Sequence, residues 1–316
     1  MTMKRDLFYF IAVLLTGGLG LCAGSFWIAP SGLDSDLNAV IVEMRALRMA
    51  AAFTVGGSLA LSGLIFQALL RNPLAEPFTL GLSGGAATGA ALAFLTGIAT
   101  AGLVPVNLCA FAGAMAVLAF VLLTARGSRE NLLLTGVITG TVMSGLLMFL
   151  LSHAENTEQL AGITWWMLGD LQAPDRTFLF AAAVLLLIAT ACVRFFAGDM
   201  DALSLGTAQA HDLGVQTKPV MLFLTALAAL LAAGTVVLAG IIGFCGLVIP
   251  HIIRRLHGQS HRNTVLCTVL CGGLFLMVCD ILSRLGEIRE IPIGVITALS
   301  GGPFFLWLLN RKPERG

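Results

Sequence analysis

PVMLFLTALAALLAAGTVVLAGIIGFCGLVIPHII, residues 219–253, runs for 35 positions without a charged side chain. One unbroken helix there would give the chain nine membrane spans, whereas two helices turning near Ala239-Gly240 would give ten. Outward from it lie seven more uncharged runs, at 7–33, 49–70, 77–125, 131–152, 177–193, 263–279 and 291–310. The run 77–125 has 49 residues and is punctuated between Gly97 and Pro105. At about 1.5 Å per residue it must hold two helices. About 20 apolar residues suffice to cross the hydrocarbon core, so the bilayer is the expected solvent. The composition agrees: 58% of residues are hydrophobic and 11% charged, against about 25% charged in a soluble domain.

Short cytoplasmic loops are enriched in Lys and Arg, and that bias chooses between nine and ten. With ten spans and an inner N-terminus, the inner segments hold Lys4, Arg5, Arg71, Arg126, Arg129, Arg194, Lys218, Arg254, Arg255, Arg262, Arg311, Lys312 and Arg315. The outer ones hold Arg45, Arg48, Arg176, Arg284 and Arg289. Nine spans would put Arg254, Arg255 and Arg262 outside. The expected fold is therefore an all-α integral membrane protein of about ten transmembrane helices with both termini cytoplasmic, forming a single transmembrane domain over 1–316. Trp27 and Trp165-Trp166 fall at expected outer boundaries, and Trp307 lies towards an inner one, as an interfacial aromatic belt places them. Glycine pairs at 56–57, 84–85 and 272–273 fit close helix packing in lipid. Gly57, Gly63 and Arg71 recur at the spacing of Gly240, Gly246 and Arg254.

A net charge of +1 and the lack of a basic stripe exclude nucleic acid as a partner. The seven cysteines lie in apolar stretches and read as small hydrophobes. Cys267 and Cys271 share a helix face, but two thiols make a poor metal site. No metal site and no cofactor are expected.

Function is carried by the loops. Arg71-Asn72-Pro73-Leu74-Ala75-Glu76-Pro77 is stiffened by two prolines and faces the cytosol in this count. The segment 199–218 is the longest on that side. In it Thr207 can cap a short helix, Ala210 and Leu213 share a face, and Gly214 can end it in the left-handed conformation. Such a helix suits docking of a partner. A phosphate-binding loop needs Gly-Lys-Ser/Thr, and Lys4, Lys218 and Lys312 do not follow glycine, so nucleotide hydrolysis would belong to a separate subunit.

Arg45-Ala-Leu-Arg48, Gly63-Leu-Ile-Phe-Gln67, Arg71-Asn-Pro-Leu-Ala-Glu-Pro77 and Leu80-Gly-Leu-Ser-Gly-Gly-Ala86 together resemble the FecCD-type permease family of bacterial ATP-driven (ABC) importers, which carry iron-siderophores, haem and cobalamin. Trp166-Met-Leu-Gly169, Ser204-Leu-Gly206 through Leu213-Gly-Val215, and Gly243-Phe-Cys-Gly-Leu-Val-Ile-Pro-His251 extend the match. Arg254, Gly258, His261-Arg262, Asp280 to Arg284, Glu290-Ile-Pro-Ile-Gly294 and Gly302-Pro-Phe-Phe305 carry it to the end. Ala46-Leu47 and Gln259-Ser260 depart from the usual pattern.

The resemblance implies a homodimer in the bacterial inner membrane, joined to two cytosolic ATP-binding subunits and served by a periplasmic or extracellular substrate-binding protein. Segment 199–217 would couple to the ATPase through Ser204, Leu205, Gly206, Ala210, Leu213 and Gly214, beside Arg71, Asn72, Pro73 and Glu76. Arg45, Arg48 and Arg284 would dock the binding protein, since guanidinium forks suit carboxylates. Thr135, Thr139, Thr141 and Ser144 would line part of the translocation path, although such hydroxyls commonly bond back to their own helix. The substrate expected first is a ferric siderophore, with cobalamin or haem next. Two other readings stand beside it. Ion-coupled carriers usually have membrane-embedded carboxylates or broken helices at mid-depth, and here Asp280, one turn from Arg284, is the one acid within an expected span. A membrane enzyme would find possible ligands in His153, His211, His251, His257 and His261, but the last three sit on a basic cytosolic loop without nearby carboxylates.

Overall fold

The 35-residue run divides where its glycine stands: α10 (Thr217–Ala239) ends at Gly240, whose φ is +65°, and α11 (Cys245–His257) starts after residue 244. The computed structural model describes residues 2–29, 38–125, 129–172, 174–285 and 290–310. Arg126, Arg289, Arg311, Lys312 and Arg315 from the charge count lie outside them, as do the side chains of Lys4, Arg129 and Trp307. The other helices are α1 (Thr2–Cys22), α2 (Ala39–Leu70), α3 (Leu82–Leu95), α4 (Leu103–Ala125), α5 (Arg129–Leu151), α6 (Thr157–Met167), α7 (Arg176–Phe195), α8 (Ala197–Leu205), α9 (Thr207–Asp212), α12 (His261–Ser283) and α13 (Ile293–Asn310). The run 77–125 also divides as its glycines suggest, with α3 and α4 separated by a 3-10 turn at Ile98–Ala101 that follows Gly97 in the left-handed region.

Seven of these helices, α1, α2, α4, α5, α7, α10 and α12, are long and apolar enough to cross a membrane. Leu82–Leu95 and Ile293–Phe304 are apolar but shorter.

The 32-residue α2, about 48 Å long at 1.5 Å per residue, is the axis of the bundle. From Ala51 to Leu70 every residue except Phe53 is buried, against α12, α10, α11 and α7. Glycine permits these approaches. A Cβ at Gly56 would strike the Gly272 backbone on α12, and one at Gly63 would strike the Gly246 backbone on α11. In lipid, where no hydrophobic force draws helices together, such contacts supply dispersion and close fit. The peripheral helices show the reverse. On α1, Leu7, Phe8, Leu14 and Leu15 face outward, and on α5 so do Leu134, Val137, Val142, Met148 and Phe149. An apolar surface of this extent requires a hydrocarbon or protein neighbour.

Candidate functional site

At one end of the bundle the three expected arginines meet. Arg45 donates from Nη1 to the Leu21 and Cys22 carbonyls, each at 2.9 Å, and from Nη2 to Phe26 O at 2.9 Å. Its guanidinium also lies over the Phe26 ring. Arg284 donates to Gly20 O at 3.1 Å and Ala23 O at 3.2 Å. The last carbonyls of a helix have no intrahelical partner and carry partial negative charge, so these two side chains close the C-terminus of α1. Arg48 holds Asp280 Oδ1 at 2.9 Å and Glu290 Oε2 at 2.9 Å, and Arg284 Nε lies 3.0 Å from Asp280 Oδ2. Gln172 donates to the same Glu290 carboxylate at 3.1 Å.

The sequence grouped Arg45, Arg48 and Arg284 correctly in space but placed them at the surface. They are 5%, 7% and 3% exposed, because α1 ends against them and Asp280, fully buried on α12, draws two of them inward. Asp280 thus has Arg48 as a partner as well as the expected Arg284. Beside this hub a cavity of about 410 Å³ opens, lined in part by Arg48, Asp280, Glu290, Asn107, Trp166 and Asp170. Burial pushes the Asp170 carboxyl above its usual range, and the Trp166 indole donates to Asn107 Oδ1 at 2.8 Å.

The opposite end carries the loops. Arg71 adopts the left-handed conformation (φ 49°) as the C-cap of α2. Asn72 then forms an Asx turn, its Oδ1 accepting from Leu74 N at 2.9 Å. Arg71, Pro73 and Leu74 are exposed, while Ala75 is buried. Burial raises the Glu76 carboxyl despite a hydrogen bond from the Phe244 amide, and Phe244 is itself a non-glycine residue at positive φ.

Two short helices occupy 197–212 where the sequence suggested one. Thr207 is the first residue of α9 and not its cap; that position is held by Gly206 at φ 148°. Gly214 has the expected positive φ. Ala210 is fully buried while Leu213 is 66% exposed and Leu205 59% exposed. The single face expected for Ala210 and Leu213 is therefore split between core and surface. The two loop regions adjoin: an Arg71 guanidinium nitrogen lies 3.7 Å from where a Cβ on Gly206 would stand.

Three connections escaped the sequence reading. Pro250 has no N–H to offer the Gly246 carbonyl one turn back, and Gln67 Nε2 donates to it at 3.2 Å and to Leu247 O at 3.1 Å. Gln67 Oε1 accepts from Arg254. Proline four residues after Gly246 was the visible signal. The Arg48–Glu290 and Asp201–His261 pairs had no local signal at all.

On α5 the four expected path residues do not converge. At 100° per residue Thr135 and Thr139 fall on one side and Thr141 and Ser144 on the other. Thr139 is buried and the latter two are exposed. Thr141 and Ser144 donate back to Val137 O at 3.0 Å and Gly140 O at 2.9 Å.

A helical bundle with an apolar periphery and with helices long and apolar enough to cross a bilayer is the architecture of a polytopic membrane protein. The chain matches the FecCD transport family over residues 7–311 and belongs to it. It is 37% identical over 308 residues to the vitamin B12 import system permease protein BtuC of Salmonella arizonae, covering 96% of this chain and 92% of that one. The BtuC protein of Escherichia coli O157:H7 is also 37% identical, over 305 residues, with 95% and 92% covered. A solved structure described as an inward-facing conformation of a proposed metal-chelate type ABC transporter is 30% identical, with a TM-score of 0.89, and the match spans 99% of this chain and 100% of that one. PsaBC from Streptococcus pneumoniae, solved in complex with Fab, shares the fold with a TM-score of 0.58 at 17% identity, over 90% of this chain and 95% of that one.

Proposed function

We propose that this chain is the permease subunit of an ATP-driven importer of metal chelates in the bacterial inner membrane. The observation that carries this reading is its end-to-end similarity, in sequence and in fold, to permeases of vitamin B12 import and to a transporter of metal-chelate type. Cobalamin stands first among candidate substrates because the relatives are named for it. A ferric siderophore, which the sequence ranked first, stands next, with haem after it.

As a single domain, the chain would cross the membrane ten times, as α1, α2, α3, α4, α5, α7, α10, α11, α12 and α13, with both termini and the 71–77 and 199–217 loops in the cytosol. Two copies would assemble with two ATP-binding subunits. Exposed Leu205 and Leu213 suit a protein partner on that side, with Ser204, Gly206, Ala210 and Gly214 shaping the segment and Arg71, Asn72, Pro73 and Glu76 beside it. At the outer end, Arg45, Arg48 and Arg284 would serve the binding protein by holding the rim that includes Glu290. The exposed face of α5, with Thr141 and Ser144, would meet the second copy along the path, and Thr135 and Thr139 would support it from behind.

An ion-coupled carrier is disfavoured by Asp280, whose two arginine partners keep its carboxylate engaged.

The test is uptake into proteoliposomes containing this chain and its ATPase, with loaded binding protein outside, using cyanocobalamin, ferrichrome and haemin in parallel. Accumulation of at least one that requires ATP on the ATPase side is expected. Uptake driven by a proton or sodium gradient without the ATPase would overturn the reading.

A further inference from the structure

Between the segment 199–217 and the membrane-spanning bundle lies a half-buried polar contact that no functional role yet covers. Asp201, on α8, faces the N-terminus of α12. Its Oδ1 accepts from the His261 amide at 2.9 Å and contacts the His261 Nδ1 at 2.5 Å, while Oδ2 accepts from the Ser260 hydroxyl at 3.3 Å. Ser260 occupies the N-cap of α12 but makes no capping bond with its own side chain, so Asp201 supplies the cap from another element. A carboxylate so placed also complements the positive end of the helix dipole.

The histidine is as constrained as the acid. His261 is 3% exposed, and a carboxylate at its Nδ1 fixes the proton on that nitrogen. Among the described residues its buried Nε2 has no hydrogen-bond partner, and the ring's polar contact is the one with Asp201. Burial pushes the Asp201 carboxyl up, but the bonds from the His261 ring and amide outweigh it and hold it below its usual range.

The same turn is gripped a second time. Arg194, at the end of α7 just before α8, donates to Arg262 O at 3.2 Å. Between these two contacts α8 buries Met200 and Leu203 against α2 and α12. Further along, Leu205 and Leu213 project outward without cover. The segment is thus exposed at its far end and fastened at its near end to a 23-residue helix. Towards its other end, about 28 Å from His261 at 1.5 Å per residue, α12 carries Asp280 of the arginine hub.

We propose that the Asp201–His261 pair is the latch that positions the coupling segment on α12, making the two residues positioning residues for transport although neither touches substrate. The proposal rests on the importer reading above. Loss of the latch leaves α8 packed by Met200 and Leu203 but free to shift against α12, so ATP is hydrolysed with less movement delivered to the bundle.

The experiment measures ATP hydrolysis and uptake together in proteoliposomes of the complete complex, for whichever of cyanocobalamin, ferrichrome and haemin the unaltered complex accumulates. Asp201→Ala and His261→Ala each lower the amount transported per ATP about tenfold, the size of one charge-assisted hydrogen bond. Asp201→Asn keeps Oδ1 as an acceptor for both His261 donors and restores the ratio to within about twofold, a neutral acceptor being somewhat weaker than a charged one. An unchanged ratio in Asp201→Ala, or a fall in Asp201→Asn as deep as in Asp201→Ala, overturns the latch. Amide exchange across 199–217 supplies a measurement independent of uptake. It is made on Asp201→Glu, which retains the charge but displaces the oxygens by one methylene. Faster exchange there than in the unaltered complex supports the latch, and identical exchange overturns it. If the unaltered complex accumulates none of the three chelates, the importer reading falls by itself, and the exchange comparison still decides the latch.

Discussion

The arginine hub and the coupling segment lie at opposite ends of α12 and treat their polar groups in opposite ways. In the hub every guanidinium is buried and bonded inside the chain: to the open carbonyls of α1, to Asp280 and to Glu290. In the coupling segment one carboxylate fastens the base, while two leucines are left in the open. The contrast teaches that charge at the end of a helical bundle does not by itself mark exposed surface. Charges there are drawn inward to satisfy open helix ends, while apolar side chains on a polar loop are left in the open.

The contrast breaks most easily at Asp280. Asp280→Ala leaves Arg48 and Arg284 buried beside no shared carboxylate, a change that costs about 3–5 kcal/mol. Thermal unfolding in detergent should show a large loss, or no folded protein should be recovered; unaltered stability would mean that the hub is not structural. Arg45→Ala should act more mildly. It uncovers the Leu21, Cys22 and Phe26 carbonyls at a cost of about 1–3 kcal/mol, and should leave the end of α1 more open to protease than the rest of the chain. Equal protection in both forms would count against its capping role. Smallest of all is the effect of Leu213→Glu on the isolated permease. An exposed substitution changes stability by no more than about 0.5 kcal/mol, so its unfolding curve should overlay the unaltered one while association with the ATPase is lost. A drop in stability comparable to that of Arg45→Ala would show that Leu213 belongs to the core.

Much of the fold was legible because helix breakers are concentrated where they matter. Gly240 and the stretch from Gly97 to Pro105 stand inside uncharged runs too long for one crossing, and the chain turns at both. The second short helix, α8, was not legible. Its sequence AGDMDALSL is short and half polar, and burial of Met200 and Leu203, which depends on α2 and α12, decides its position. At the site, the motif Arg45-Ala-Leu-Arg48 spaces the two arginines three residues apart, on one helix face, but carries no sign of their depth. Depth is set by the end of α1 and by an aspartate 232 positions after Arg48. Long-range pairs such as Arg48–Asp280 and Asp201–His261 leave no periodic trace. Pro250 did leave one, since an intrahelical carbonyl without its donor calls for a side chain such as Gln67.

Sided labelling of a single cysteine at position 213 tests the account most directly. With the seven native cysteines replaced and Leu213→Cys introduced, an impermeant thiol reagent should label the protein in inside-out vesicles and not in intact cells, and the added ATPase subunit should block that labelling. Labelling from outside intact cells, or labelling that the ATPase leaves unchanged, would contradict it.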